Sequence, residues 1–544
     1  VVPLWCLFSD REGGVEEGRT DLKTCHRKAA CTISPGSKAK IPAMIFNSFF
    51  FILIFLPLTV SGWFLLNRKS MILSEWFLIG MSLWFYGSFS PWYLAVLAVS
   101  VALNYGFGRI VQGKKGLLAA GILLNLALLS WFKYVTPEMG EPELAGTMVR
   151  SLLAIGLPVG FSFYTFSQIS YLIDSFRGEV KNDGFRRYLL YITYFPKIVE
   201  GPITCYEEVM SQLRDPSNRI FSAEQLSRGI LLFTFGLGKK LLIADVLAGP
   251  AVFGIQSAYY LDTLSVLLTM TCYALQLYFD FSGFCDMAMG ISWMLNINLP
   301  LNFDAPFQAE SFPEFWKRWH MTLTRFFTKY VYIPLGGSRR GTLRTCLNVL
   351  AVFVLSGFWH GLGWNYLIWG LLSGVLVVAG NLLRKREQSR RKEQKAGSKA
   401  VENTVRTGLG RELRRLGNFA LFLVTLVFFG APSPVYSLAV LKNLFRPMWP
   451  GWLYRMAAKL EVPEFWLLNK AAGAMLPSAK NLILFAELLL VLAVSAVLLH
   501  GRRTAVKLAE SMQLNRRNAV LAGILLIWCL CSMSGVSTYL YFKF

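Results

Sequence analysis

The sequence predicts an all-α polytopic membrane protein, and three observations support this fold class. First, 54% of the residues are hydrophobic and only 16% are charged, with a mean hydropathy of +0.45, whereas a soluble domain usually carries about 25% charged residues. Second, charge-free runs cover 45–66, 117–132, 346–382 and 518–541. Third, a helix needs roughly 20 apolar residues to cross a bilayer and satisfies its own backbone there, so we expect about ten to twelve transmembrane helices.

The basic residues indicate a membrane topology rather than a nucleic-acid partner. The net charge is +23, but the lysines and arginines collect in short loops between apolar runs, at 67–70, 109–116 and 177–187, and in the stretch 384–417. The loop at 136–149 is acidic by contrast. This alternation is the positive-inside pattern and predicts that the basic loops are cytoplasmic. We therefore expect a multi-pass protein of the cell membrane, in contact with lipid and with no nucleic acid.

The chain divides into a short leader and one membrane domain. Residues 1–43 are polar and lack helical periodicity and the order of a signal peptide. Because Met44 directly precedes the first apolar run, we interpret 1–43 as a disordered extension that is non-native or misassigned. Residues 44–544 then form the membrane domain, with core motifs at 156–370 and a flexible, basic cytoplasmic loop at 384–417. The segment 442–478 receives no assignment.

Two segments predict departures from simple spans. The region 185–203 is interrupted by Pro196 and places Lys197 and Glu200 in apolar surroundings, which is typical of a broken or re-entrant segment. Residues 311–333 show helical spacing of apolar side chains, with a capping box formed by Ser311 and Glu314. We predict one continuous amphipathic helix at the membrane interface, with His320 on its apolar face.

Two of the four histidines, His320 and His360, lie in aromatic, apolar sequence. An ionisable residue at membrane depth is costly and is by default a functional hypothesis; the alternative is a core histidine with satisfied hydrogen bonds. His360 lies in SGFWHG, where glycines on both sides allow another backbone or a thin substrate to approach closely, and Trp359 can form a wall. A neutral imidazole in such a place can act as a general base.

Further polar residues lie within apolar sequence between 271 and 304, among them Gln276, Asp280 and Asn302. They fit two interpretations, hydrogen bonding between helices or the wall of a hydrated tunnel. Gln276, Asp280 and Gly283 share one helical face, which suits either. The sequence contains no GxSxG, HExxH or Walker A motif near His360, so neither a serine hydrolase nor a metal site is supported.

Six ordered motifs carry a resemblance to a known family. They are GLPVGFSFYTFSQISYLID (156–174), YFPKIVEGPI (194–203), YALQLYFDFSGFCDMAMGI (273–291), LPLNFDAPFQAESFPEFWKRWHMTL (299–323), YVYIPLGG (330–337) and SGFWHG (356–361). The final YLYFKF is similar to family C-termini as well. The chain resembles the membrane-bound O-acyltransferase (MBOAT) superfamily over 44–544, and within it the bacterial branch that O-acetylates alginate and similar polysaccharides.

The resemblance implies a ring of helices around a central tunnel and an essential histidine at His360, with a second at His320. On this basis we expect His360 to act as the general base and His320 to orient the acyl group or polarise its carbonyl. Tunnel or substrate-binding positions would be Trp359, Trp316, Trp319, Asp280, Gln276 and Asn302. No cofactor would be permanently bound.

The resemblance also implies the substrates. The donor would be acetyl-CoA or another cytosolic acyl thioester, and the acceptor an exported or cell-surface polysaccharide, reached with an extracytoplasmic acetyltransferase partner. Chain length favours acetyl transfer over D-alanyl transfer to a cell-wall polymer. A proton-coupled transporter or flippase is the alternative from another class, and it would require matching half-helices in two repeats; no such repeat is visible in the sequence.

The interpretation of the leader yields a first prediction. Deleting residues 1–43, so that the chain starts at Met44, should leave membrane insertion and cellular O-acylation unchanged, because every motif lies downstream. Membrane fractionation and the acetate released from cell-surface polymers by mild alkali measure the two properties. A truncated chain that fails to insert would show that the leader belongs to the folded protein.

Overall fold

The computed structural model describes residues 44–135, 156–181, 183–397, 408–447, 450–460, 462–475, 480–501 and 503–533. All regular elements in these ranges are helices, which confirms the all-α polytopic fold class. Seven helices are long and apolar enough to cross a membrane: Pro91–Ile110, Lys115–Val135, Thr263–Met294, Thr342–His360, Trp364–Ser389, Gly408–Gly430 and Lys480–His500. Two shorter apolar helices are Phe51–Asn67 and Met71–Gly87.

The remaining helices are shorter or interrupted, which is why fewer full spans are found in the described residues than the ten to twelve expected. The apolar run 226–250, for example, is divided into Ala223–Gly238, the π-helix Lys239–Ala244 and Asp245–Gln256. The others are Phe161–Phe176, Gly184–Thr193, Phe195–Ile198, Tyr206–Arg214, Pro216–Arg219, Pro306–Gln308, Phe312–Arg318, Met321–Phe327, Thr328–Tyr332, Pro434–Asn443, Pro450–Ala457, Pro463–Phe465, Trp466–Met475, Ala505–Ser511 and Arg516–Cys531.

Helix Thr263–Met294 is the centre of the domain, and its side chains from Tyr273 onward are all buried. It packs closely on Ala223–Gly238, because a Cβ on Gly236 would come within 2.6 Å of the Gly283 carbonyl oxygen. Glycine at this crossing therefore allows the two helices to pack closely. Buried ion pairs link the same elements: Lys240 Nζ lies 2.7 Å from Asp280, and Lys239 Nζ lies 2.6 Å from Asp286.

The helix that ends at His360 forms an antiparallel pair with Trp364–Gly397. The two backbones touch where both helices carry glycine, because a Cβ on Gly357 would lie 2.4 Å from the Tyr366 carbonyl oxygen and one on Gly370 would lie 2.5 Å from that of Phe353. The glycines beside His360 were expected to admit either another backbone or a thin substrate. Gly357 admits a neighbouring backbone. This contact fixes the end of the helix that carries His360.

The predicted continuous helix over 311–333 is wrong. The structure contains Phe312–Arg318, Met321–Phe327 and the π-helix Thr328–Tyr332, and the chain breaks at His320, which has a left-handed φ of 46°. The predicted capping box is also wrong, because the Ser311 side chain makes no cap hydrogen bond and the Glu314 carboxylate accepts instead from the Glu310 N–H at 3.0 Å. Tertiary contacts at the break, described below, override the helical periodicity.

The predicted basic loop at 384–417 is largely helical. Helix Trp364–Gly397 continues through its first part and Gly408–Gly430 begins within its last part. Arginine, lysine, glutamate and glutamine are good helix formers, so high charge did not imply a loop here. Residues 398–407 lie outside the described residues, as do the leader 1–43, the acidic loop at 136–149 and the terminal motif at 539–544.

The prediction of a broken segment at 185–203 is confirmed. Helix Gly184–Thr193 ends before Tyr194, and the four-residue helix Phe195–Ile198 follows with Pro196 in its first turn. Lys197 and Glu200 are both buried, with exposed fractions of 4% and 2%. The non-helical backbone is thus enclosed by protein, as backbone at membrane depth must be.

The topology gives a second prediction. Ser389 is exposed on the basic extension of Trp364–Gly397, and the positive-inside pattern places this extension in the cytoplasm. A Ser389→Cys variant, made in a background without the exposed Cys531, should react with a membrane-impermeant maleimide only after the cells are permeabilised. Labelling of the Ser389→Cys variant in intact cells would show that this extension lies outside the cell, and would contradict the predicted topology.

Candidate active site

A cavity of about 270 Å³ lies between helix Thr263–Met294, the interrupted segment 312–332 and the pair of helices that flanks His360. His320 and His360 both line it. Most of the other lining side chains are aromatic or aliphatic, including Trp316 and Trp319, and the polar Lys317 and Asn381 lie among them. We call this space the donor cavity.

His360 is the last residue of helix Thr342–His360 and is 8% exposed. Three aromatic rings surround its imidazole, with centroid distances of 4.5 Å to Trp359, 4.9 Å to Phe429 and 5.2 Å to Trp369. The last two rings stand perpendicular to it. This enclosure holds the imidazole in an apolar setting from which water is largely excluded, and it leaves one face on the donor cavity.

His320 is held by Asn302 in one tautomer. The Asn302 Oδ1 accepts hydrogen bonds from the Thr322 N–H at 3.2 Å and the Thr322 hydroxyl at 2.9 Å, so it is an acceptor. The His320 Nδ1 lies 3.1 Å from the same oxygen and must therefore carry the proton. Its Nε2 has no hydrogen-bond partner among the described residues. A lone pair is thus available on the side of His320 that is not held by Asn302.

This tautomer restricts the role of His320. Burial lowers the pKa of His320 to about 3, so the imidazole is neutral at physiological pH. With its proton on Nδ1, the ring can accept a hydrogen bond at Nε2 but cannot donate one. In this tautomer His320 is suited to accept a hydrogen bond from a substrate group, whereas polarisation of the acyl carbonyl would require a proton on Nε2. His320 can therefore orient a substrate group that donates a hydrogen bond to its Nε2.

A second, smaller cavity of about 90 Å³ lies on another side of His360. Its polar lining comes from Lys133, Ser162 and Glu200, and Trp359 and His360 close it toward the donor cavity. Lys133 donates to the Trp359 carbonyl oxygen, and the Tyr134 hydroxyl donates to that of Phe358. Residues at the end of span Lys115–Val135 thereby satisfy carbonyls in the last turn of the His360 helix. We call this space the acceptor chamber.

The predicted site residues fall into three groups. Trp316 and Trp319 line the donor cavity with the two histidines, and Trp359 lines the acceptor chamber. Asn302 lies behind His320 and positions it. Asp280 and Gln276 line neither of these two cavities, which corrects the tunnel assignment for both.

Helix geometry explains that correction. Leu277 and Phe281 face the donor cavity, and the stripe one residue earlier on the same helix, at 276 and 280, points about 100° away. There Asp280 meets Lys240 of the neighbouring helix. The interpretation as contacts between helices, left open by the sequence, is thus the right one for Asp280.

Several residues that enclose His360 or line these cavities were not predicted as site residues. Trp369 and Phe429 enclose His360, and Lys133 and Glu200 line the acceptor chamber. Lys133 and Glu200 could have been noticed in the sequence, because each is a charged residue within an apolar stretch. Nothing in the sequence distinguishes Trp369 or Phe429 from the other aromatic residues.

The chain belongs to the membrane-bound O-acyltransferase (MBOAT) family, whose model matches residues 125–405. This range includes both histidines, the interrupted segment and the acceptor chamber. The protein is therefore a multi-pass membrane acyltransferase, and the two cavities that meet at His360 belong to an enzyme.

Curated relatives are similar over much of their length. The peptidoglycan O-acetyltransferase of Helicobacter pylori is 36% identical over 371 residues, which cover 62% of this chain and 70% of the relative. The probable alginate O-acetylase AlgI of Pseudomonas putida is 34% identical over 352 residues, with the same coverage. The teichoic acid D-alanyltransferase of Streptococcus thermophilus is 29% identical, over 50% of this chain and 67% of the relative. The chain is accordingly an O-acyltransferase of the alginate O-acetylation branch.

A third prediction separates the roles of His320 and Trp316. Trp316 is partly buried and packs against Phe353 and Trp369 at 5.3 and 5.8 Å, and truncation of a tryptophan packed in this way costs up to about 3–5 kcal/mol. Trp316→Ala should therefore lower the melting temperature in detergent more than His320→Ala does. His320→Ala should reduce acyl transfer per folded protein about tenfold or more while the protein level stays similar. The reverse ranking would assign the structural role to His320.

Proposed function

We propose that this enzyme transfers an acetyl group from a cytosolic thioester to a hydroxyl group of an exported or cell-surface polysaccharide. The observation that carries the proposal is the position of His360, which lines both the donor cavity and the acceptor chamber. A thioester in one space and a hydroxyl in the other would meet at this imidazole. A single base could then serve two substrates that arrive from opposite sides of the membrane.

The direction of each cavity follows from the charges around it. The donor cavity extends from His360 to Lys317, Tyr332 and Asn381. Asn381 lies one turn before Lys385, whose Nζ donates to the Thr342 hydroxyl at 3.1 Å. This end of the helix pair carries the basic residues that the positive-inside pattern assigns to the cytoplasm. The donor therefore enters from the cytoplasm, and the acceptor chamber lies toward the exterior.

A basic vestibule adjoins the donor cavity and suits a phosphorylated donor. It is an open depression of about 270 Å³ lined by Lys317, Arg325 and Lys329, and it shares Lys317 and Thr324 with the cavity. Arg325 pairs with Glu208, and Lys329 pairs with Asp174 at 2.9 Å and with Glu179 at 3.1 Å. Lys317 is exposed and makes no ion pair within the described residues. Its ammonium group is therefore the one proposed to attract the phosphates of coenzyme A or of a carrier's phosphopantetheine arm.

The pantetheine arm also fits the chemistry of His320. Its amide N–H groups are hydrogen-bond donors, and His320 offers an acceptor at Nε2 in a cavity that is otherwise mostly apolar. We therefore favour acetyl-CoA as the donor substrate, with no cofactor permanently bound. A carrier-protein thioester would present the same arm and is distinguished from acetyl-CoA by assay.

The reaction needs one base and balances without a further reactant. His360 accepts the proton of the acceptor hydroxyl while the hydroxyl oxygen attacks the acyl carbonyl carbon. The C–S bond breaks, and the imidazolium returns the proton to the thiolate sulfur. The products are the O-acetyl ester and free thiol. The apolar rings around His360 limit competing hydrolysis by restricting water at the thioester.

The relatives support the acceptor and the acyl group. Those with the higher identities are named for O-acetylation of peptidoglycan or alginate, whereas the D-alanyltransferases match at 29% over half of the chain. Acetyl is therefore favoured over D-alanyl, and a cell-surface polymer is the proposed final acceptor. We propose an extracytoplasmic acetyltransferase as the partner protein on the acceptor side of the membrane.

A fourth prediction tests the base. General-base catalysis contributes typically 10²–10⁴-fold, so His360→Ala should lower acetyl transfer by about that factor. Gln at this position preserves shape and some hydrogen bonding but accepts no proton near neutral pH, so His360→Gln should be nearly as inactive. The measurement is transfer of labelled acetyl from acetyl-CoA in proteoliposomes, normalised to folded protein. Near-wild-type activity of the Gln variant would refute the assignment of His360 as the base.

A further inference from the structure

Glu200 is a buried acid whose position the catalytic step does not explain. It follows the short helix Phe195–Ile198 in the broken segment, is 2% exposed and lines the acceptor chamber with His360. Neither of its carboxyl oxygens has a hydrogen-bond partner among the described residues. Buried polar groups are almost always hydrogen-bonded, and burial without a partner is costly. A residue kept in this state beside a catalytic group suggests that it bonds to a ligand.

The neighbouring buried cations do not fill this need. Lys197, three residues earlier, donates to the Thr204 hydroxyl at 2.9 Å and lies 3.6 Å over the Tyr191 ring. Lys240 is held by Asp280 at 2.7 Å and by Asp245 at 2.8 Å. Lys133 donates to the Trp359 carbonyl oxygen. Each of these ammonium groups has its own acceptor, so Glu200 is not simply one half of a structural ion pair.

The surroundings of Glu200 favour its neutral, protonated form. Burial, together with the nearby Asp280 carboxylate, holds the pKa of Glu200 well above its usual range, and Lys240 opposes this effect only in part. A neutral carboxylic acid offers one O–H donor and one carbonyl acceptor on adjacent atoms. This pair matches two neighbouring oxygens of a sugar, one that accepts a hydrogen bond and one that donates.

The size of the chamber agrees with such a group. The chamber has a volume of about 90 Å³, which leaves room for a hydroxymethyl group and its neighbouring oxygen. A hydroxyl bound between Glu200 and His360 would then lie beside the imidazole, where the acceptor chamber meets the donor cavity.

We propose that Glu200 is the acceptor-binding residue of this enzyme and that its carboxyl group hydrogen-bonds the hydroxyl-bearing end of a carbohydrate in the acceptor chamber. The inference rests on the proposed function and adds to it the residue that selects the acceptor. Glu200 takes no part in proton transfer, which proceeds from the hydroxyl to His360 and then to the leaving sulfur. Its contribution lies in the affinity and orientation of the acceptor.

Two variants and one control test this role. Glu200→Gln keeps a donor and an acceptor in a similar shape, whereas Glu200→Met keeps the size and removes both. Glu487→Met is the matched control, because Glu487 is also a buried acid but bonds Asn469 and lines neither cavity. Initial rates of labelled acetyl transfer in proteoliposomes are measured with acetyl-CoA and a polysaccharide fragment, each varied in turn.

We expect Glu200→Met to raise KM for the polysaccharide fragment about tenfold, the usual effect of one lost hydrogen bond, with KM for acetyl-CoA unchanged. Glu200→Gln should stay within about threefold of the wild type, and Glu487→Met should leave both KM values unchanged. An unchanged acceptor KM in Glu200→Met, a rise in the donor KM instead, or a Gln variant as impaired as the Met variant would each overturn the proposal.

Failure of the proposed function would be seen in the activity of the wild-type enzyme. A wild-type enzyme that transfers nothing from acetyl-CoA contradicts the proposed donor, whereas failure of the Glu200 role appears only in the ratios between variants. Alkali-released acetate from the surface polymers of cells that express each variant gives those ratios without assuming a donor. There Glu200→Met should lower O-acetylation and Glu200→Gln should largely restore it; equal acetylation in all variants would refute the role.

Discussion

The arrangement of the site depends on the side-chain amide of Asn302. Its Oδ1 binds His320 Nδ1 and both the N–H and the hydroxyl of Thr322, while its backbone carbonyl accepts from the Met321 N–H at 2.9 Å. The Thr322 hydroxyl oxygen in turn accepts from the Ile203 N–H at 3.1 Å. Three irregular segments are thus joined at one point, and such linked hydrogen bonds strengthen one another in a low-dielectric interior. The same contacts offset the left-handed backbone of His320, which is unfavourable for a residue other than glycine.

A second constraint follows from the proposed function, in which the enzyme must connect two sides of a membrane without opening a pore. His360 lies between the two cavities, and Trp359, Trp369 and Phe429 surround it, so the polar path narrows to a single imidazole. The helix end that carries His360 is fixed by the backbone contact at Gly357 and by Lys133 at the Trp359 carbonyl. Precise placement of this residue therefore depends on packing between spans. An acyl group needs little space to pass this point, whereas a hydrated ion would lose its water.

Much of this architecture was predictable because hydropathy and charge placement respond directly to the bilayer. The fold class, the broken segment at Pro196 and the two buried histidines follow from those patterns. The break at His320 was not predictable, because the residues on both sides continue the helical period and the cause lies 18 positions away in Asn302. Likewise, periodicity placed Gln276 and Asp280 on one face but could not tell which face meets the cavity. Both failures concern tertiary contacts rather than local preference.

The presence or absence of a bonding partner distinguishes structural polar residues from candidate site residues better than the residue type does. Lys239 and Lys240 are paired with acids and hold the central helices together, whereas His320 Nε2 and the Glu200 carboxyl have no partner within the described residues and line the two cavities. Gln276 shows that a missing partner is not sufficient, since its Oε1 is also unpaired but lines neither cavity. A neutral amide left unpaired costs about 1–3 kcal/mol, which a fold can tolerate. An unpaired group that also faces a cavity can recover that cost from a substrate, and for this reason we propose that His320 Nε2 and the Glu200 carboxyl group bind substrate.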